Sequence, residues 1–309
     1  MAAKAARNPV LWISVLLEKA GVAAASAASH ADLTTATAQA PPKIRHITFS
    51  DLRECLADGW DDFLESRVHY VVLSLIYPVV GLLLARLSMG DPGGVYHLIY
   101  PLMAGFTLLG PFAAVGLEEI SRRREHGMPV RWLDAFAVLG SPRLPAIIFF
   151  GALLCAVYLL WLGAAHGLYR LTLGPMIETA AITPTGQPVP ISVGFFLHEV
   201  FATGPGWTML IVGTLIGFVF AVAVLCVGVI SFPLLLDRDD LGATAGAQVS
   251  TAMQTSIQAV LANPVPMFAW GAIVAGLLLL GSLPLLVGLA VAMPVLGHAT
   301  WHLYRHVIG

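Results

Sequence analysis

Charge is what this chain lacks. Asp, Glu, Lys and Arg make up 11% of its 309 residues, against 58% hydrophobic residues. A soluble domain carries about a quarter of its residues charged, so a water-soluble fold is excluded. There is no basic excess either. The formal charge is −2, which argues against a nucleic-acid partner, because such binding needs a basic face. Cysteine is scarce: Cys55, Cys155 and Cys226 are scattered without a CxxC pair, and they carry no compartment signal. Catalytic signatures are missing as well. No GxSxG, HExxH, P-loop or paired-carboxylate pattern occurs, so nothing favours an enzyme and no cofactor is implied. The short alternating segments of a β-barrel are absent too.

Long apolar runs are what remains. Mean hydropathy is +0.82, and several charge-free stretches reach the 20 or so helical residues needed to cross a bilayer core. The expected fold is all-α: a polytopic helical membrane protein with about six transmembrane helices. Spans are expected near residues 68–87, 96–117, 144–165 and 207–236, followed by two in the charge-free stretch from Pro264. A single helix over 264–297 would be about 51 Å long, more than the hydrocarbon core allows. Gly281-Ser282-Leu283-Pro284 therefore supplies a hairpin turn. Residues 207–236 are also long for one span, so that helix is expected to tilt or protrude. Its Gly213, Gly217 and Ala221 form a small-residue stripe suited to close helix packing.

Three amphipathic segments precede the hairpins. Ser50–Glu65 places Leu52, Leu56, Trp60 and Phe63 at helical spacing, as a helix lying at the interface would. Val130–Leu139 does so with Trp132, Leu133 and Phe136, and Leu241–Leu261 with Val249, Met253, Ile257 and Val260. An amphipathic helix followed by a hairpin thus recurs in residues 50–125, 130–240 and 241–309. The second copy carries an outer insertion, 167–206, within which Ser192–Thr203 is expected to form a surface helix. Residues 1–45, rich in Ala, Ser and Thr, read as a mobile tail and 46–309 as the membrane domain. With both termini inside, only Arg86 and Arg170 of sixteen Lys and Arg residues fall outside. Cytoplasmic termini follow from the positive-inside rule.

The hairpins end alike. GFTLLGPFAAVGLEEISRRR (105–124), VGVISFPLLLDRDD (227–240) and VAMPVLGHATWHLYR (291–305) each run through a proline to an abrupt polar end. Together with ANPVPM and SRR…EHG, these motifs resemble a bacterial family of predicted integral-membrane proteins, domain of unknown function 2189. The resemblance spans about Ile44 to Arg305. It implies a six-span protein of the bacterial inner membrane, with no established activity.

The candidate site residues are those polar ends: Glu118, Arg122 and Arg123; Asp237 and Arg238; His298 and His302. If the three ends converge, they form one cytoplasmic crown, with an ion pair expected between Asp237 and Arg122 or Arg123. Arg suits a phosphate headgroup or anionic substrate, whereas the ordinary reading is a collar of internal salt bridges. His298, His302 and His306 share a helical face, which suits a metal or haem iron. Their ordinary reading, with Trp301 and Tyr304, is that of interfacial anchors. No charge falls at the middle of any expected span, which counts against a proton-coupled transporter or charged filter. The functional expectation is an accessory, assembly or lipid-handling membrane protein, with membrane lipids and another membrane complex as the partners to look for. A small-molecule transporter or channel is the alternative, and a haem- or metal-binding membrane protein the second alternative.

Overall fold

The computed structural model describes residues 42–65, 110–181, 192–283 and 286–308, with isolated positions between 79 and 101. The N-terminal tail, most of the first hairpin and the Pro-rich part of the insertion lie outside these residues. Among the described residues every regular element is helical. The described residues form ten α-helices: α1 (Phe49–Glu65), α2 (Gly110–Glu125), α3 (Leu144–Leu171), α4 (Gly174–Ala180), α5 (Val193–Ala202), α6 (Gly204–Gly228), α7 (Ser231–Asp237), α8 (Ala245–Ala262), α9 (Pro264–Ser282) and α10 (Leu289–Val307). A 3-10 helix, Trp132–Gly140, joins α2 to α3. Among the described residues, three stretches are long and apolar enough to cross a membrane: Leu144–Leu171, Gly204–Asp237 and Pro264–Ser282.

Local chemistry sets the helix ends. Ser192, Thr203 and Thr244 accept hydrogen bonds from Phe195 N, Gly206 N and Ala247 N and so cap α5, α6 and α8. Pro205 and Pro264 lie in first turns, where a missing N–H costs nothing. α2 ends on Arg122, Arg123 and Arg124, which favour the negative end of the helix dipole. Gly127 then takes φ +64°. Its N–H reaches Arg124 O and that of Met128 reaches Arg123 O, which closes a Schellman turn.

The 207–236 run does not form one straight helix. Pro233 has no N–H to give the Val229 carbonyl, and α6 stops at Gly228 before α7 restarts at Ser231. Side chains hold the break: Ser256 accepts from Ile230 N at 3.3 Å, and the Ser231 hydroxyl donates to Val227 O. The last run is not continuous either. α9 ends at Ser282 and α10 begins at Leu289, with Gly281 and Gly288 so close that a Cβ on Gly288 would meet Gly281 at 2.8 Å. Leu278 then packs with Leu289, Met293 and Leu296, so the two helices form a hairpin. Pro294 sits inside α10 without ending it.

The small-residue stripe of α6 packs within the chain: a Cβ on Gly217 would lie 2.6 Å from the Trp161 ring of α3, and one on Gly213 would lie 3.3 Å from Leu168. The amphipathic segments are more buried than their patterns suggest. α1 lies along α10, and it buries Leu52, Cys55, Gly59 and Phe63 while Trp60 stays 45% exposed. The reason is steric: Gly59 lets the Ala299 backbone come close enough to meet a Cβ at 2.6 Å. α8 likewise buries Ala252, Thr255, Ser256 and Ala259 beside Val249 and Val260, with Met253 only partly buried. The 3-10 helix matches its pattern better, with Leu133 and Phe136 turned outward. α5 packs Phe196 and Val200 against Tyr169 of α3, Ile177 of α4 and Leu173 between them.

The main core lies where α1, α7, α8 and α10 meet. Asn263, at the junction of α8 and α9, ties the incoming segment to it. Its Oδ1 accepts from Ile47 N at 2.9 Å, and its Nδ2 donates to Arg45 O at 3.0 Å. Arg45 N in turn donates to Val307 O at the end of α10.

Candidate functional site

The polar ends of α2, α7 and α10 meet in the structure. Gly297 of α10 packs on Ala114 and Leu117 of α2, and Asp237 at the end of α7 is bonded by Tyr304 and Arg305 of α10. Around this junction polar side chains pair almost completely, and Asp62 of α1 is the hub. Its carboxylate accepts from Ser121 Oγ at 2.6 Å, Arg124 at 2.9 Å and His302 Nε2 at 3.1 Å. Burial pushes the Asp62 carboxyl up. The hydrogen bonds from His302 and Ser121, the nearby His298 and the Arg124 guanidinium outweigh this and hold it well below the usual carboxylate range.

Ser121 and His298 are fully buried neighbours, with Oγ and Nδ1 2.7 Å apart. The serine has one hydrogen, and it goes to Asp62, an acceptor only. His298 Nδ1 is therefore the donor to Ser121 Oγ. The order Asp–Ser–His differs from a nucleophilic triad, in which the imidazole receives the serine proton and the acid orients the imidazole. This chain of bonds clamps α1, α2 and α10 together.

Each residue marked by the sequence now has a place. Arg122 and Arg123 both bind Glu119 on their own helix, at 2.8 Å each, and Arg123 also reaches Asp134 at 3.2 Å. The expected pair with Asp237 is not made, because a carboxylate three and four residues back is already in reach. Asp237 is satisfied instead from α10: Tyr304 donates to it at 2.6 Å and Arg305 at 3.4 Å. Arg305 also holds Glu125 at 2.8 Å and so bridges the ends of α2 and α7. Arg238 turns back to Asp240 at 2.8 Å and does not join the crown.

The histidine face of α10 packs against α1, so its members have no common centre: His298 bonds Ser121, His302 bonds Asp62, and His306 donates from Nδ1 to His302 O at 3.0 Å. Trp301 and Tyr304 correct the interfacial-anchor reading, being 0% and 1% exposed. Trp301 Nε1 donates to Glu125 at 3.0 Å. Asp51, Glu54 and His306 offer ligand atoms within 4.8 Å of one another, but Asp51 is engaged by Thr48. Burial and the neighbouring Asp58 push the Cys55 thiol up to about 12, so this cysteine behaves as a small apolar group.

Glu118 stands apart from all these pairs. It is 1% exposed, and neither carboxyl oxygen has a hydrogen-bond partner. It lies in the wall of a cavity of about 330 Å³ bounded by α2, α6, α9 and α10. Apart from Glu118 and Thr300, the described lining is apolar or glycine, with Val224, Leu225, Trp270 and Met293 prominent. Phe218 and Phe268, 60% and 45% exposed, belong to the same wall. The cavity therefore opens between α6 and α9 on the apolar outer surface.

Sequence reasoning missed Asp62, Ser121, Arg124, Glu125, Tyr304 and Arg305 as members of this end. One signal was present: Cys55 and Gly59 are small residues at helical spacing, leading to Asp62 on the same face, which marks a helix that another helix approaches closely.

Comparison with known proteins gives a partial match. Residues 99–237 match the model of a family described as predicted integral membrane protein, domain of unknown function 2189. That stretch holds Glu118, Ser121, Arg122, Arg123 and Asp237, so one side of the polar junction and two walls of the cavity, α2 and α6, lie within the family region. No curated protein and no solved structure matches the chain.

Proposed function

We propose that this is a lipid-handling membrane protein, which takes an apolar molecule from the surrounding bilayer into the cavity between α6, α9 and α10. The carrying observation is the combination of an apolar lateral cavity with a buried, unbonded carboxyl in its wall. Binding pockets combine predominantly apolar linings with few polar groups in this way, at volumes of roughly 300 Å³ and above. An unpartnered buried polar group is costly to keep, and a binding role gives it a use. The polar junction behind the cavity is the scaffold that fixes its walls.

In this reading the chain has six spans in three hairpin units, with the polar junction and both termini on the cytoplasmic side of a bacterial inner membrane. The distribution of Lys and Arg supports that orientation. The Glu118, Arg122, Arg123, Asp237, Arg238, His298 and His302 set then divides. Glu118 faces the ligand, Asp237, His298 and His302 hold the junction, Arg122 and Arg123 serve Glu119, and Arg238 serves Asp240. Another membrane complex that receives or supplies the ligand is the remaining partner.

A hydrocarbon carrying a photoreactive diazirine tests this in lipid nanodiscs. Labelling is expected in the peptide containing Val224–Val229. It should fall when Ala221→Trp fills the mouth, and persist in Val219→Trp, which changes the exposed face of α6 outside the cavity. Equal labelling in all three proteins contradicts the proposal.

A further inference from the structure

If the cavity binds an apolar molecule, its few polar groups must select the head of that molecule. This step rests on the proposed function and specifies its ligand. Thr300 gives its hydroxyl hydrogen to Leu296 O at 2.7 Å, which leaves its oxygen as an acceptor. Glu118 has no partner for either oxygen. No Lys, Arg or His stands in the described lining. The guanidinium groups of Arg122 and Arg123, four and five residues further along α2, are bound to Glu119.

Each head-group chemistry meets a different outcome there. A phosphate or carboxylate would face a carboxyl and a hydroxyl acceptor with no cation to offset its lost hydration. An ammonium could pair with an ionised Glu118, but two charges would then be desolvated in an apolar wall with no further donors or acceptors to satisfy them. A hydroxyl meets neither difficulty. A neutral carboxyl offers one donor and one acceptor, and an alcohol offers the same. The two can exchange a pair of hydrogen bonds, and the Thr300 oxygen remains as a second acceptor. The Glu118 oxygens are withdrawn in the wall, so contact requires rotation about its own χ angles.

We infer that the ligand is an uncharged lipid alcohol, whose hydroxyl binds Glu118 while its hydrocarbon chain lies along Val224, Leu225 and Trp270 and leaves between Phe218 and Phe268. Two sources carry this chemistry, an acylglycerol and a long-chain or isoprenoid alcohol.

The test uses full-length protein in nanodiscs and diazirine-tagged single-chain probes that differ only at the head: hydroxyl, methyl ether, phosphate, carboxylate and amine. Wild-type protein should label with the alcohol at least about tenfold more than with the ether or the phosphate, the worth of one or two buried hydrogen bonds. Glu118→Gln keeps a donor and an acceptor and should retain the preference. Glu118→Leu should abolish it, with alcohol and ether labelling equally. A monoacylglycerol probe and an isoprenoid-alcohol probe, compared on the wild type, decide the source. Equal labelling by every head, blocked by Ala221→Trp, would overturn the alcohol while leaving the cavity reading intact. Preference for the amine with loss in Glu118→Gln would overturn it in favour of a cation, and preference for phosphate or carboxylate in favour of an anion. Labelling that Ala221→Trp does not change would overturn both.

Discussion

α6 and α10 are both apolar helices with glycines and no acid, yet the chain uses them in opposite ways. α6 buries only Gly206, Val224 and Gly228 and turns Ile211, Leu215, Phe218 and Val219 outward. α10 buries 13 of its 19 residues, His298 among them. The more polar helix is the more buried one. In water that order would be a defect. In a bilayer the solvent is hydrocarbon, so apolar side chains gain nothing by leaving it, and helices associate through close packing and internal polar bonds. The structure follows this rule: small residues bring α10 against α1 and α2, and Asp62, Ser121 and His302 bond across the seams.

That contrast predicts where substitutions should matter. The largest effect belongs to Asp62→Ala, which strips a partner from Arg124, His302 and Ser121 at once. Removing one member of a buried charged network costs about 3–5 kcal/mol, read as a large fall in thermal midpoint in detergent. The pH dependence has a definite sign. The Asp62 carboxyl lies below its ordinary value in the folded protein, so its contribution is complete above about pH 4, the unfolded value. It is lost as pH falls further, and the Asp62→Ala variant should show a weaker acid transition.

Gly59→Val should come next. Its Cβ would meet the Ala299 backbone N at 2.6 Å, which forces α1 off α10 at a cost of about 2–3 kcal/mol. A thermal midpoint equal to wild type would show that α1 lies loosely on the surface. Glu118→Leu should act in the other direction, because it removes a buried carboxyl without a hydrogen bond. A gain of about 1–2 kcal/mol is expected, and a clear loss of stability would show that Glu118 has a structural partner. The smallest effect belongs to Leu215→Ala on α6. That side chain is 60% exposed and meets lipid, so a change within about 0.5 kcal/mol is expected. A large loss would mean that this face of α6 packs against protein.

Several parts of this contrast were legible in the sequence. Hydropathy gave the helical class, and charge-free length gave the α9–α10 hairpin. Pro233 marked the point where α6 yields to α7. The polar junction was legible as a set of helix ends but not as a set of bonds. Arg122 and Arg123 could reach either Glu119 or Asp237, and only geometry shows that the near carboxylate takes both. Asp62 looked like the wet side of an amphipathic helix, because a helical pattern does not reveal that Gly59 admits a second helix. Glu118 was visible as a residue close to hydrocarbon. Its neighbour Glu119 has the same charge and takes both arginines, so nothing in the sequence said which of the two would be left alone in a cavity.

The most direct test of the cavity as a binding site is native mass spectrometry of the protein released from membranes in mild detergent. Wild-type protein should carry one apolar adduct, retained in Val219→Trp and absent from Ala221→Trp. An adduct that survives Ala221→Trp unchanged, or that both variants lose equally, would contradict a ligand held between α6, α9 and α10.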